Sequence, residues 1–260
     1  MQLIANLSFM FTERPLPERF GAAARAGFEG AEVQFPYDHD PVELRRAAGE
    51  LPIVLINLPA SDPRGSIGRA TDASLRTEFR QGLEDGLRYA EALGVTKVNV
   101  LPGPPPAGQD AATTDQVLGD NLRLAAERLA GIGVALVTEP INPWDVPGMW
   151  LDSLGKATGF LDGLGEPRVK LQFDLYHMAR TEPDLLAAIE RAGPRIGHVQ
   201  FADTEGRNEP GTGAIDFEAA FAALRRTGYD GAVAAEYRPA GRTEDGLGWM
   251  ARVPAWFGRT

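Results

Sequence analysis

Short apolar runs alternate with longer amphipathic stretches from one end of the chain to the other. The runs LIAN, AEVQ, IVLIN, KVNVL, VALVTE, VKLQFD, IGHVQF and GAVAAE are each four to six residues long and dominated by aliphatic residues. Near-continuous apolar segments of that length read as strands covered on both faces, the condition of a parallel sheet. They place strands at Leu3 to Asn6, Ala31 to Gln34, Ile53 to Asn57, Lys97 to Leu101, Val134 to Glu139, Val169 to Asp174, Ile196 to Phe201 and Gly231 to Glu236. Between them apolar residues recur every three to four positions, the spacing of an amphipathic helix. That spacing predicts helices over Leu16 to Ala26, Pro41 to Ala48, Ser74 to Leu93, Asp115 to Gly131, Ser153 to Leu164, Glu182 to Ala192, Asp216 to Thr227 and Asp245 to Ala255. Asp or Ser at several starts caps free backbone N–H groups, and Gly94, Gly193 and Gly228 are placed to end helices. Eight βα pairs of about 32 residues predict an α/β chain folded as one (β/α)8 TIM barrel over residues 1–260. A doubly wound open sheet is the structural alternative.

Three stretches fall at the mouth of such a barrel: the loop Leu58 to Ala73, the Pro/Gly-rich LPGPPPAG at 101–108, and Pro140 to Leu151. The last carries Trp144 and Trp150, candidates for excluding water from a site there. Composition then narrows the function. With 43% hydrophobic residues, the 260-residue chain can bury one large core, and its net charge of −10 opposes the counterion release on which nucleic-acid binding depends. A small solute is the expected ligand, with no nucleic-acid or membrane partner, and a homo-oligomer is compatible with the composition. The absence of cysteine excludes disulfides and thiolate metal sites. The opening MQLIANLSFMFTERP has neither the basic nor the long apolar region of a signal peptide, and no stretch approaches the roughly 18 apolar residues of a membrane span. A soluble, cytoplasmic protein is the expectation.

The chemistry lies at the ends of the last four strands, where Glu139, Asp174, Gln200 and Glu236 close otherwise apolar runs. They are spaced 35, 26 and 36 residues apart, about one βα unit each time. A barrel gathers C-terminal strand ends at one mouth, and adjacent strands stand about 4.8 Å apart, so the four side chains can surround one ion. Oxygen donors suit a hard divalent cation such as Mg²⁺ or Mn²⁺. A lone acid at a strand end is ordinarily a turn residue or a helix cap; four in succession point to a cation. His177, in FDLYH, reads either as a contact to a ligand oxygen or as a cap of the following helix. Arg207 reads either as a clamp for a substrate carboxylate or as an exposed loop residue. His198 and Glu32 read as members of an internal polar network, and His39 is given no chemistry.

The segments ANLSFMFTERPLPERF, AGFEGAEVQFPY, VTEPIN, FDLYH, HVQFAD, Gly211 to Phe217 (G-x-G-x-I-D-F) and EYRPAGRTEDGLGW resemble the hydroxypyruvate isomerase family. That family lies within the xylose-isomerase-like barrel superfamily, and the likeness runs over nearly the whole chain. The resemblance implies that Glu139, Asp174, Gln200 and Glu236 are the metal ligands and that Glu139 and Glu236 double as the acid/base pair. It further implies substrate contacts from His177 and Arg207. Related ketose 3-epimerases usually carry His where this chain has Gln200, which shifts weight from epimerase to isomerase. The implied activity is a metal-dependent aldose–ketose isomerisation of hydroxypyruvate to tartronate semialdehyde (2-hydroxy-3-oxopropanoate) through an enediolate. A 2-oxo-tetronate isomerase, a ketose 3-epimerase and a non-catalytic sugar-acid-binding barrel are the alternatives. A DNA-repair nuclease shares the superfamily barrel but needs a richer, His-containing multi-zinc site.

Overall fold

Eight strands form where the apolar runs lie. The computed structural model describes residues 1–60, 67–204 and 206–259, and the loop after the third strand falls partly outside them. The strands are β1 (Gln2–Asn6), β2 (Gly30–Val33), β3 (Ile53–Asn57), β4 (Lys97–Asn99), β5 (Ala135–Thr138), β6 (Val169–Asp174), β7 (Ile196–Phe201) and β8 (Ala232–Ala235). Each pairs in parallel with the next, and β8 returns to pair with β1, Ala5 opposite Ala235. The sheet is therefore a closed barrel, and the open-sheet alternative is excluded.

The helices are α1 (Leu16–Ala26), α2 (Pro41–Ala48), α3 (Arg76–Leu93), α4 (Ala111–Ala130), α5 (Leu154–Leu164), α6 (Leu175–Thr181), α7 (Leu185–Ala192), α8 (Phe217–Arg226) and α9 (Val253–Trp256). Three differ from the periodicity reading. Helix α4 begins before the expected Asp115 because Asp110 caps it, accepting from the Thr113 backbone N–H at 2.8 Å. The expected helix at Glu182 starts at Leu185, and α6 precedes it, directly after β6. Leu175, Tyr176, His177 and Met178 are all buried, so α6 shows no apolar and polar faces to betray it. The expected helix from Asp245 to Ala255 is a 3-10 run, Thr243–Arg252, followed by α9. Gly246 and Gly248 weaken α-helix there, and a Cβ on Gly246 would lie 2.5 Å from Glu209 Oε1.

The large core lies between barrel and helices, and a small one of Ile4, Val54, Ala232 and Ala234 fills the barrel interior. An aromatic cluster locks α8 and the C-terminal segment to β7. Phe221 lies 5.5 Å from Phe201, 5.5 Å from Trp256 and 5.3 Å from Phe257, ring centre to ring centre. Phe221→Ala is expected to cost about 3–5 kcal/mol of stability, measured by denaturant unfolding. A loss below about 1 kcal/mol would show that the cluster repacks. No helix among the described residues is long and apolar enough to cross a membrane.

Candidate active site

The barrel interior turns polar toward the C-terminal ends of its strands. Asn6, Glu32, Asn57, Asn99, Gln172, Asp174, His198 and Gln200 are buried there, with Glu139 just beyond β5 and Glu236 just beyond β8. Burying so many polar groups is tolerable because most of them bond to one another, although Asn57 Oδ1, Asn99 Oδ1, Gln172 Oε1 and His198 Nδ1 have no partner among the described residues. The bonds form a continuous arc. Gln172 Nε2 donates to Glu139 Oε2 at 2.8 Å and to Gln200 Oε1 at 2.7 Å. Gln200 Nε2 donates to Glu32 Oε1 at 2.6 Å across the barrel, from β7 to β2. Asn6 Nδ2 donates to Glu32 Oε1 at 2.7 Å and to Glu236 Oε1 at 3.1 Å. Glu139 and Glu236 are thus the two ends of one hydrogen-bonded path with Glu32 at its middle.

Asp174 stands beside Gln200 in the sheet register and also caps α6, accepting from the Tyr176 backbone N–H at 2.9 Å. That cap places His177 in the first turn of α6, with Nε2 3.6 Å from Asp174 Oδ2 and 3.7 Å from Glu139 Oε1. Ligand atoms of Glu139, Asp174 and His177 lie within 4.8 Å of one another, a grouping that could hold a metal ion. Glu236 joins this group through Arg207, whose Nη2 donates to Glu236 Oε2 at 2.9 Å and to Asp174 Oδ2 at 3.2 Å.

Arg207 owes its position to a knitted loop. Its φ is +56°, left-handed and unfavourable for a residue with a Cβ. The Asp203–Asn208 bridge holds it there, as does a 2.7 Å bond from the Arg238 N–H to the Arg207 carbonyl. The G-x-G motif serves the same loop: Gly211 has φ +96°, and a Cβ on Gly213 would fall 1.3 Å from the Thr204 carbonyl oxygen. The guanidinium lies 4.9 Å from the ring centres of both Phe9 and Tyr176, while its Nε has no hydrogen-bond partner among the described residues.

The electrostatics explain what this site needs. Burial raises the pKa of Glu139, and the Asp174 charge raises it further. Burial likewise raises Asp174 and Glu236, against the pull of Arg207. Burial alone would lower Arg207, but Glu236, Asp174 and Glu139 hold it above its ordinary value. His177 is held well below the usual imidazole range by burial, then by Arg207 and Arg180. Three buried carboxyl groups therefore face one guanidinium; burial favours their protonated forms, and their hard oxygen donors fit a divalent cation, whose charge would favour the ionised ones.

Above them opens a cavity of about 680 Å³, with Phe9, Phe35, Ile67, Leu101, Ile141 and Val146 as its apolar wall. Neither Trp144 nor Trp150 is part of that wall, against the expectation from sequence. Trp150 Nε1 donates to Asp115 Oδ1 at 2.8 Å, with Lys156 Nζ 3.8 Å over its ring, and Trp144 is 61% exposed. His198 and Glu32 meet at 2.7 Å inside the barrel, as a network reading expects. The sequence reading missed Gln172 and Asn6, and with them Gln34, whose Nε2 donates to Glu236 Oε1, and Asn142, whose Nδ2 meets His177 Nδ1. Gln172 was detectable, since it stands two residues before Asp174 and so shares its strand face. Asn6 ends β1 where Glu139 follows directly on β5, but an amide drew no attention beside carboxylates.

Comparison with known proteins agrees with the barrel fold. The xylose isomerase-like TIM barrel family matches residues 20–253. The chain is 41% identical to the hydroxypyruvate isomerase of Escherichia coli K12, over 96% of this chain and 98% of that one. It is 36% identical to the 2-oxo-tetronate isomerase of Cupriavidus necator, over 95% and 96%. A solved structure from Brucella melitensis, described as an AP endonuclease of family 2, superposes with a TM-score of 0.92 at 37% identity, covering 96% of this chain and 98% of that one.

Proposed function

Because the chain belongs to the hydroxypyruvate isomerase family of xylose isomerase-like TIM barrels, we propose that it is a metal-dependent aldose–ketose isomerase converting hydroxypyruvate to tartronate semialdehyde. The observation that carries this reading is the arc that holds Glu139 and Glu236 at its two ends, under one cavity. Glu139, Asp174, Gln200 and Glu236 would hold Mg²⁺ or Mn²⁺; the ion supplies Lewis acidity toward the substrate's neighbouring oxygens and stabilises negative charge on them.

The chain's own residues supply the rest. One glutamate removes a proton from the CH₂OH carbon, leaving an enediolate across C2 and C3, and the other returns a proton to C2. The hydroxyl proton on C3 passes to the oxygen on C2, so the product is an isomer. Arg207, pinned at the cavity floor beside both Phe9 and Tyr176, presents donors suited to the substrate carboxylate. His177 reaches into the same cavity. The apolar wall limits water around the enediolate.

A four-carbon 2-oxo acid is a second reading, favoured by the cavity volume and by the Cupriavidus relative. Purified protein with Mg²⁺ or Mn²⁺ is expected to form tartronate semialdehyde from hydroxypyruvate. Absence of product from hydroxypyruvate and from 2-oxo-tetronate with either metal would overturn the isomerase reading. A kcat/KM at least about tenfold higher for 2-oxo-tetronate would make the four-carbon acid the substrate. With a net charge of −10, the chain lacks the basic excess that a nuclease needs to hold a phosphate backbone.

A further inference from the structure

Asn142, in the VTEPIN segment after β5, has a role that the reaction as described leaves unused. Its side chain is fully buried, and its Oδ1 accepts from the Trp144 N–H at 3.1 Å and the Asp145 N–H at 2.9 Å. An amide whose oxygen is committed to two backbone donors can offer only its NH₂ elsewhere. That NH₂ lies 2.7 Å from His177 Nδ1. The Asp145 carboxylate, the other group near Nδ1, stands at 4.0 Å, beyond hydrogen-bond reach. Nδ1 must therefore accept, and the proton of the neutral imidazole sits on Nε2.

The consequence concerns the far side of the ring, where Nε2 faces Glu139 and Asp174. A nitrogen that carries a proton has no lone pair for a metal. Metal-bound histidines also donate their other ring N–H to a carboxylate, carbonyl or water, whereas the other nitrogen of His177 meets a donor. We infer that Asn142 is a positioning residue that locks His177 in the Nε2–H tautomer, making it a neutral hydrogen-bond donor to a substrate oxygen and not a metal ligand. The substrate half of this inference rests on the isomerase reading; the tautomer half does not.

The chain has three histidines, His39, His177 and His198, so an ¹⁵N-histidine spectrum is simple to read. In the full-length protein loaded with diamagnetic Mg²⁺, the signal lost in His177→Gln is expected to show a protonated Nε2 and a bare Nδ1. A protonated Nδ1, or a metal-bound Nε2, would overturn the assignment whether or not the protein turns over hydroxypyruvate. Asn142→Asp is nearly isosteric: one carboxylate oxygen keeps the two backbone donors and the other accepts from the ring. It is expected to move the proton to Nδ1 and to lower kcat by about 10²–10⁴-fold with KM changed less than about threefold, as wrong-tautomer variants of catalytic histidines do. Retention of the Nε2–H signal with Nδ1 still unprotonated in Asn142→Asp would overturn the lock. An inverted tautomer with full kcat would overturn the substrate role while leaving the isomerase reading intact.

Discussion

Glu139→Gln and Glu236→Gln are each expected to lower kcat by about 10²–10⁴-fold, the range that a positioned proton-transfer group contributes. Both substitutions preserve shape and most hydrogen bonds. The amide oxygen introduced at 139 can still accept from Gln172 Nε2 and Asn99 Nδ2, and the one introduced at 236 from Asn6 Nδ2. Loss of rate with native melting behaviour then reports chemistry. Exchange of the C3 hydrogens into deuterated water separates the two roles. The variant lacking the abstracting base loses both exchange and turnover, while the variant lacking the proton donor keeps exchange and loses product. Because the two act in sequence, the double variant is expected to be little slower than the worse single one. Full activity in both single variants would show that neither glutamate moves the proton.

Removing divalent cations with a chelator is expected to abolish measurable turnover, and Mg²⁺ or Mn²⁺ to restore it. The same treatment should lower the melting temperature, because the three buried carboxylates lose their counter-charge; a ligand present at 100 times its Kd stabilises by about 2.7 kcal/mol. Asp174→Asn isolates the cause. Asn still caps α6 at the Tyr176 N–H, so the local fold survives, while one buried negative charge disappears. The metal-free variant is expected to melt no lower than metal-free wild type, yet to bind added metal at least about tenfold more weakly. Undiminished turnover in protein shown by elemental analysis to be metal-free would overturn the metal reading.

Much of this molecule is legible in the chain because its strands announce themselves. A strand buried on both faces must be apolar throughout, so a polar residue at its end stands out, as Glu139, Asp174, Gln200 and Glu236 do. Helix α6 was illegible for the complementary reason: its residues are buried on nearly every side, and its start is set by Asp174, which reads equally well as a strand end. The tryptophans misled because aromatic character indicates an apolar contact without saying where. Trp150 spends it on Lys156 and Asp115, and Phe9 and Phe35 line the cavity instead.

By itself, then, the sequence determined the class of fold, the number of βα units, and the strand ends that carry the buried polar groups, because periodicity and burial act locally and leave their mark residue by residue. Closure of the barrel decided the rest. It set Glu32 of β2 against Gln200 of β7, joined Glu139 to Glu236 through amides that look unremarkable in the chain, and brought Asn142 to within 2.7 Å of His177. Hydrogen-bond direction and ring tautomer depend on which partner lies across the barrel, and no spacing along the chain specifies that partner.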